Sequence, residues 1–168
     1  MLKKLFAFGS LTISFIMGLM CMVSSVSYFS GAALPEHDAE PIVLGIFCML
    51  IALALLAGAV AGIAFLVITM IKNKESKIPS FIALGCAGVL ILGYCIISSY
   101  LSISNIVNYA QAISREGTSY DAYYGAQIFV NVCSLLNSYL ISGIVAILAV
   151  LSLITFKKKQ KEEPTPQQ

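Results

Sequence analysis

Four stretches of this chain contain no Lys, Arg, His, Asp or Glu: residues 5–35, 41–71, 78–114 and 122–156. A helix rises about 1.5 Å per residue, so crossing about 30 Å of hydrocarbon takes roughly 20 apolar residues. All four stretches exceed that length. The chain is 59% hydrophobic and only 11% charged, whereas a soluble domain is roughly 45–50% apolar and about 25% charged. These features exclude a soluble enzyme domain, a disordered chain and a nucleic-acid binder. They predict an all-α integral membrane protein in which four transmembrane helices form an antiparallel bundle, with the lipid bilayer as its first partner.

The net charge of +2 is too small to imply an acidic partner, but its distribution predicts an orientation. Lys3 and Lys4 precede the first stretch, Lys72, Lys74 and Lys77 separate the second and third, and Lys157, Lys158, Lys159 and Lys161 follow the fourth. Four crossings place those three segments on one side. The two remaining loops hold Glu36, Asp38, Glu40, Glu116 and Asp121, with Arg115 as their sole base. Loops rich in Lys and Arg resist translocation, so both termini and the Lys72–Lys77 linker are expected in the cytoplasm of a cell-membrane protein. A cleaved signal peptide would need an apolar run of about 7–15 residues. Here the run extends from Leu5 to Phe29, so the first helix is expected to be retained. Cys21 is no better a lipoprotein site, because bulky Met20 precedes it.

The spans are predicted at about residues 5–29, 42–71, 81–102 and 126–156. Tyr28 and Phe29 close the first at the interface, where aromatic rings settle. Pro41 suits the first turn of the second helix, which tolerates a missing N–H. The third helix is expected to continue beyond the membrane to about residue 114, with Gly117 as its stop. Residues 1–156 then make one transmembrane domain, and residues 157–168, with two prolines, read as a disordered cytoplasmic tail.

Each span carries a stripe of small or polar residues at helical spacing. The first has Ser10, Ser14, Gly18, Cys21, Ser25 and Tyr28. The second has Ala54, Gly58, Ala61, Gly62, Phe65 and Thr69. The third has Ala83, Ala87, Tyr94, Ser98, Ser102, Asn105 and Tyr109. The fourth has Gln127, Asn131, Ser134, Ser138, Ser142, Ala149 and Ser152. The opposite face of the fourth span, with Phe129, Val132, Leu136, Leu140, Ile147 and Ile154, suits lipid. Lipid tails are as apolar as Leu, so helices in a bilayer associate where small residues allow close approach and hydroxyls or amides bond across. The stripes are therefore expected to turn inward. They either pack or line a cavity toward the outer ends of spans three and four. Gly58-x-x-x-Gly62 is a small-residue contact motif.

No ionisable residue lies within the four stretches, which argues against a proton-coupled pump. Small four-span multidrug transporters use a carboxylate in their first span, and this chain has none there. Five cysteines, Cys21, Cys48, Cys86, Cys95 and Cys133, fall within the spans without a C-x-x-C pair. They read as small packers rather than redox centres, although Cys48 and Cys133 lie at depths where a disulfide is open to test. Glu36, His37, Asp38 and Glu40 supply weak divalent-cation ligands but read better as a solvated loop. Tyr109, Tyr120, Tyr123 and Tyr124, near Arg115, suit an aromatic belt or a recognition surface. No phosphate-binding, dinucleotide, zinc-protease or serine-hydrolase motif occurs, and no glycosylation sequon is present. The four-span plan is similar to that of claudins and tetraspanins. Claudins, however, carry Trp and Cys in the first outer loop, and this chain has no Trp and no loop cysteine.

The expected function is therefore non-enzymatic and cofactor-free. The chain is expected to associate with itself or with other membrane proteins. The alternative is a channel or uncoupled permease subunit for a small polar solute. The residues expected to carry packing or a cavity are Ser14, Gly18, Gly58, Gly62, Ser98, Ser102, Asn105, Asn131, Ser134, Ser138 and Ser142.

Overall fold

The computed structural model describes residues 2–32, 40–72, 76–116 and 121–162, and in these every regular element is helical. The elements are α1 (Leu2–Ala32), α2 (Glu40–Ile71), α3 (Ile78–Val89), a π turn (Leu90–Tyr94), α4 (Cys95–Glu116) and α5 (Asp121–Glu162). Four helical segments are long and apolar enough to cross a membrane: Lys4–Ser30, Ile42–Ile71, Ile78–Arg115 and Tyr123–Ile154. The third segment comprises α3, the π turn and α4.

Local chemistry accounts for the helix boundaries. The Ile78 N–H donates to Ser76 Oγ at 3.2 Å, and Ser80 and Phe81 N–H both donate to the Lys77 carbonyl. Pro79 lies in the first turn of α3, where its missing N–H is tolerated. The sequence reading ends the fourth helix at Phe156, whereas the backbone continues helical to Glu162. The intervening Lys, Gln and Glu residues are good helix formers. Residues 163–168, the first-loop group Glu36-His37-Asp38, Gly117 and Tyr120 lie outside the described residues.

Contacts run around the bundle from α1 to α2, from α2 to α3, from α3 and α4 to α5, and from α5 back to α1, while α1 also meets α3 across the middle. Gly62 sets one level of the packing. A Cβ placed on it would meet Leu11 Cδ2 of α1 at 2.6 Å and Ile82 Cγ2 of α3 at 3.2 Å, so three helices converge on its bare Cα. At the same level Ser10 Oγ donates to the Val145 carbonyl of α5 at 3.2 Å. Gly58 abuts Cys86, with Sγ 2.7 Å from where a Cβ would sit, and Gly18 receives Leu55 and Leu56. Leu11, Leu55, Leu90, Val145 and Ala149 are fully buried around these contacts.

The π turn changes which residues of the third segment face inward. The Cys95 N–H donates five residues back to the Leu90 carbonyl. Ala83 and Ala87 are buried before the turn, Leu90 at its first residue, and Cys95 and Ser102 after it, with Ser98 half-buried. The inward step from Leu90 to Cys95 is thus five residues, one more than a regular helical turn supplies. Gly93 lies within this turn. A Cβ there would meet Ile51 Cδ1 of α2 at 2.8 Å, so glycine permits the approach.

Packing corrects the expected stripe of the second span. Ala54, Ala61 and Phe65 are exposed, and Gly58 is only half-buried. The buried face consists of Cys48, Ile51, Ala52, Leu55, Ala59, Gly62, Leu66 and Thr69. Small-on-small contact is therefore not the rule between α1 and α2. Large Leu55 and Leu56 fill the space above Gly18, while Leu11 fills the space above Gly62. By contrast, the expected lipid face of the fourth span is exposed at Phe129, Val132, Leu136, Leu140, Ile147 and Ile154.

Candidate functional site

The interior polar residues separate into two zones. In the zone around Leu11, hydroxyls are mostly satisfied within their own helices. Ser14 Oγ donates to Ser10 O at 2.9 Å, Thr69 Oγ1 to Leu66 O at 2.8 Å and Ser152 Oγ to Ala149 O at 2.7 Å. Each is buried and acts as a small filler. Gly18, Gly58 and Gly62 also belong to this packed zone.

Further along the bundle, α4 and α5 are laced together by side chains. Cys95 Sγ contacts Ser142 Oγ at 3.1 Å, and Ser98 Oγ and Ser138 Oγ share a 2.7 Å hydrogen bond. Ser138 Oγ also donates to Ser134 O at 2.9 Å. Ser99 Oγ and Tyr139 OH pair at 2.9 Å, and Asn105 Nδ2 donates to Asn131 Oδ1 at 3.3 Å. Asn131 Nδ2 donates in turn to Gln127 O at 2.8 Å.

Above this seam the helices part around a cleft of about 290 Å³. Its walls are Cys21, Ser24 and Tyr28 from α1, Cys48 and Ile51 from α2, Tyr94 from the π turn, Ile97, Ser98, Leu101, Ser102 and Asn105 from α4, and Asn131 and Ser134 from α5. Five expected residues, Ser98, Ser102, Asn105, Asn131 and Ser134, thus meet at one cleft, while Ser14, Ser138 and Ser142 are packed away from it. No wall residue is charged. Ser102 is only 4% exposed, yet its hydroxyl makes no hydrogen bond with any described residue. Tyr28 and Tyr94 are half-buried, and their hydroxyls are likewise unpaired among the described residues.

The cleft is closed at its base. Leu11, Leu55, Leu90 and Val145, each 0% exposed, fill the bundle beyond it. On the other side of Ile51 and Ile97 lies an apolar groove between α2 and the third segment, lined also by Val43, Leu44, Phe47, Leu92, Gly93, Ile96 and Tyr100.

Cys21, Cys48, Cys86 and Cys95 are buried and free, whereas Cys133 is exposed and free, so Cys48 and Cys133 are not joined. Among the described residues no group of three or more His, Cys, Asp or Glu gathers as for a metal. Tyr109 and Tyr124 rings lie 6.0 Å apart, and Tyr123 meets Tyr124 edge-on at 5.5 Å.

The sequence reading passed over Asn137. This residue lies near the middle of the Tyr123–Ile154 segment, is exposed, and makes no hydrogen bond with a described residue. The available signal was an amide inside a charge-free stretch but off the inward stripe. Comparison with known proteins finds no match: no protein-family model, no curated protein and no solved structure resembles the chain significantly.

Proposed function

We propose that the chain is a non-enzymatic, multi-pass protein of the cell membrane, an antiparallel four-helix bundle with cytoplasmic termini, that works by associating with itself or another membrane protein. Bilayer insertion is supported by the inverted surface: Ser10, Ser14, Ser25, Ser138, Ser142 and Ser152 are buried, while Leu, Ile, Val, Phe and Met dominate the exposed positions. The antiparallel sense is supported by the paired levels Phe29 with Gly45, Gly18 with Leu56, and Leu11 with Gly62.

Asn137 carries the association reading. An unpaired amide facing hydrocarbon is unfavourable by several kcal/mol, and a neighbouring helix can satisfy it. Its exposed neighbours on the same flank, Val130 and Cys133, are of small or moderate size and permit a helix to approach. The test is size analysis and partner identification after extraction in mild detergent. Wild-type protein is expected as a dimer or a defined complex, and Asn137→Leu as a monomer with the same thermal stability. An equally monomeric, partner-free wild type would sink the reading.

Orientation is tested by single cysteines in a cysteine-free background. An impermeant reagent applied to intact cells is expected to label position 38 or 121 but not 74. The channel or uncoupled permease reading draws on the uncharged cleft. Its dead end at Leu11, Leu55, Leu90 and Val145 favours association over a continuous pore. Solute flux into liposomes containing the purified chain would reverse that preference.

A further inference from the structure

We propose that the cleft is a binding site for an uncharged, hydroxylated group, with the headgroup of a neutral glycerolipid as its occupant. The anchor is Ser102. In a helix, a serine hydroxyl commonly bonds back to a carbonyl one turn earlier. Ser14, Ser24, Ser27, Ser99 and Ser138 of this chain all do so. Ser102 does not, although it is 4% exposed and forms part of the cleft wall. A buried hydroxyl with no partner is unfavourable, and buried polar groups are almost always satisfied by protein, water or ligand. The Tyr28 and Tyr94 hydroxyls border the same space without partners among the described residues, and Asn105 and Asn131 add amide groups at the rim.

The wall chemistry selects the ligand class. With no charged side chain, the cleft offers nothing to offset the desolvation of a phosphate, carboxylate or ammonium group. Hydroxyls and amides both donate and accept, which matches a polyol. The volume of about 290 Å³ lies at the lower end of ligand sites, which run to roughly 300–1,000 Å³. A small headgroup fits that size. Ile51 and Ile97 belong both to this cleft and to the apolar groove between α2 and the third segment. A lipid whose alkyl chain lies in the groove would hold its headgroup beside the cleft, with only Ile51 and Ile97 between them, which favours a lipid over a free polyol.

The experiment uses the full chain in nanodiscs of a zwitterionic phospholipid and measures equilibrium binding of radiolabelled 1-monooleoylglycerol, with free glycerol as competitor. Saturable binding is expected, weakened about five- to tenfold by Ser102→Ala through loss of one hydrogen bond. Ser102→Ala is also expected to melt no lower than wild type without ligand, because it removes an unpaired buried hydroxyl. Asn105→Ala, exposed at the rim, is the second variant if Ser102→Ala melts early, and it too should weaken binding. Ser152→Ala, far along α5, should bind as wild type. Displacement by glycerol at matching occupancy would assign the site to a free polyol and overturn the lipid assignment. Absence of saturable binding by either probe, or equal binding by wild type and both cleft variants, would mean that the cleft holds only water, and the proposal falls. Binding by a wild type that is both monomeric and partner-free would overturn the association reading and leave this site standing.

Discussion

The two zones of the bundle interior use the same residue types in opposite ways. In the packed zone, serines fill space: Ser14 and Ser152 are buried and bond to their own helices, and Leu11, Leu55 and Val145 are fully buried. Around Ser102, serines and asparagines face one another across α4 and α5, and the helices stand far enough apart to leave a cleft. The difference follows from the neighbours. Gly18 and Gly62 accept Leu55, Leu56 and Leu11, so large side chains pack into small ones. At the cleft, Tyr28, Tyr94 and the two asparagines lack such complementary glycines and are too polar to be driven into an apolar contact. A polar stripe is therefore either packing or lining according to whether the facing helix supplies shape to fill it.

This contrast is most sharply broken by solvent access. Cysteine introduced at Ser134, exposed at the cleft, should react with a water-soluble maleimide, whereas cysteine at Ser138, 1% exposed, should remain unmodified over the same period. Equal labelling would erase the boundary between the zones. The largest stability effect is expected at Gly62. Its Cβ position already lies 2.6 Å from Leu11 and 3.2 Å from Ile82, so Gly62→Leu must separate α1, α2 and α3. A loss of about 3 kcal/mol or more, or failure to assemble, is expected in thermal melts followed by circular dichroism.

Ser138→Leu should lose about 1–3 kcal/mol by overpacking the α4–α5 seam. A stable Ser138→Leu protein would mean that the cleft extends down to this level. Ser98→Ala, which removes only the hydrogen bond to Ser138, should lose about 0.6 kcal/mol, the typical value for polar contacts between membrane helices. Leu136→Ile is the baseline. Leu136 is 64% exposed, and its replacement should stay within about 0.5 kcal/mol of wild type.

Much of this architecture was legible in the residues because charge is so restrictive in hydrocarbon. The four charge-free stretches delimit four helices to within a few residues of the observed segments. The stripes of the first, third and fourth spans each mix hydroxyls or amides with bulky aliphatic residues, and they contain both buried positions and, at Asn105 and Ser134, exposed ones. Ser10, Ser14, Ser102, Ser138 and Ser142 are all buried. The second span was misjudged because it is apolar on every side. Ala54 and Ala61 look as suitable for a contact as Ala52 and Ala59, and a helix without amphipathic contrast carries no signal of its rotation.

The sequence by itself determined the number of long apolar segments, their approximate ends and the exposed apolar face of the fourth, because those follow from where charged and apolar residues fall along the chain. Tertiary structure alone decided the rotation of α2, the five-residue inward step from Leu90 to Cys95, and the point at which packing gives way to the cleft beside Ser102. Those depend on the shape of the facing helix. Glycines at 18, 62 and 93 became legible as contacts only once Leu55, Leu11 and Ile51 were seen to fill the space in front of them.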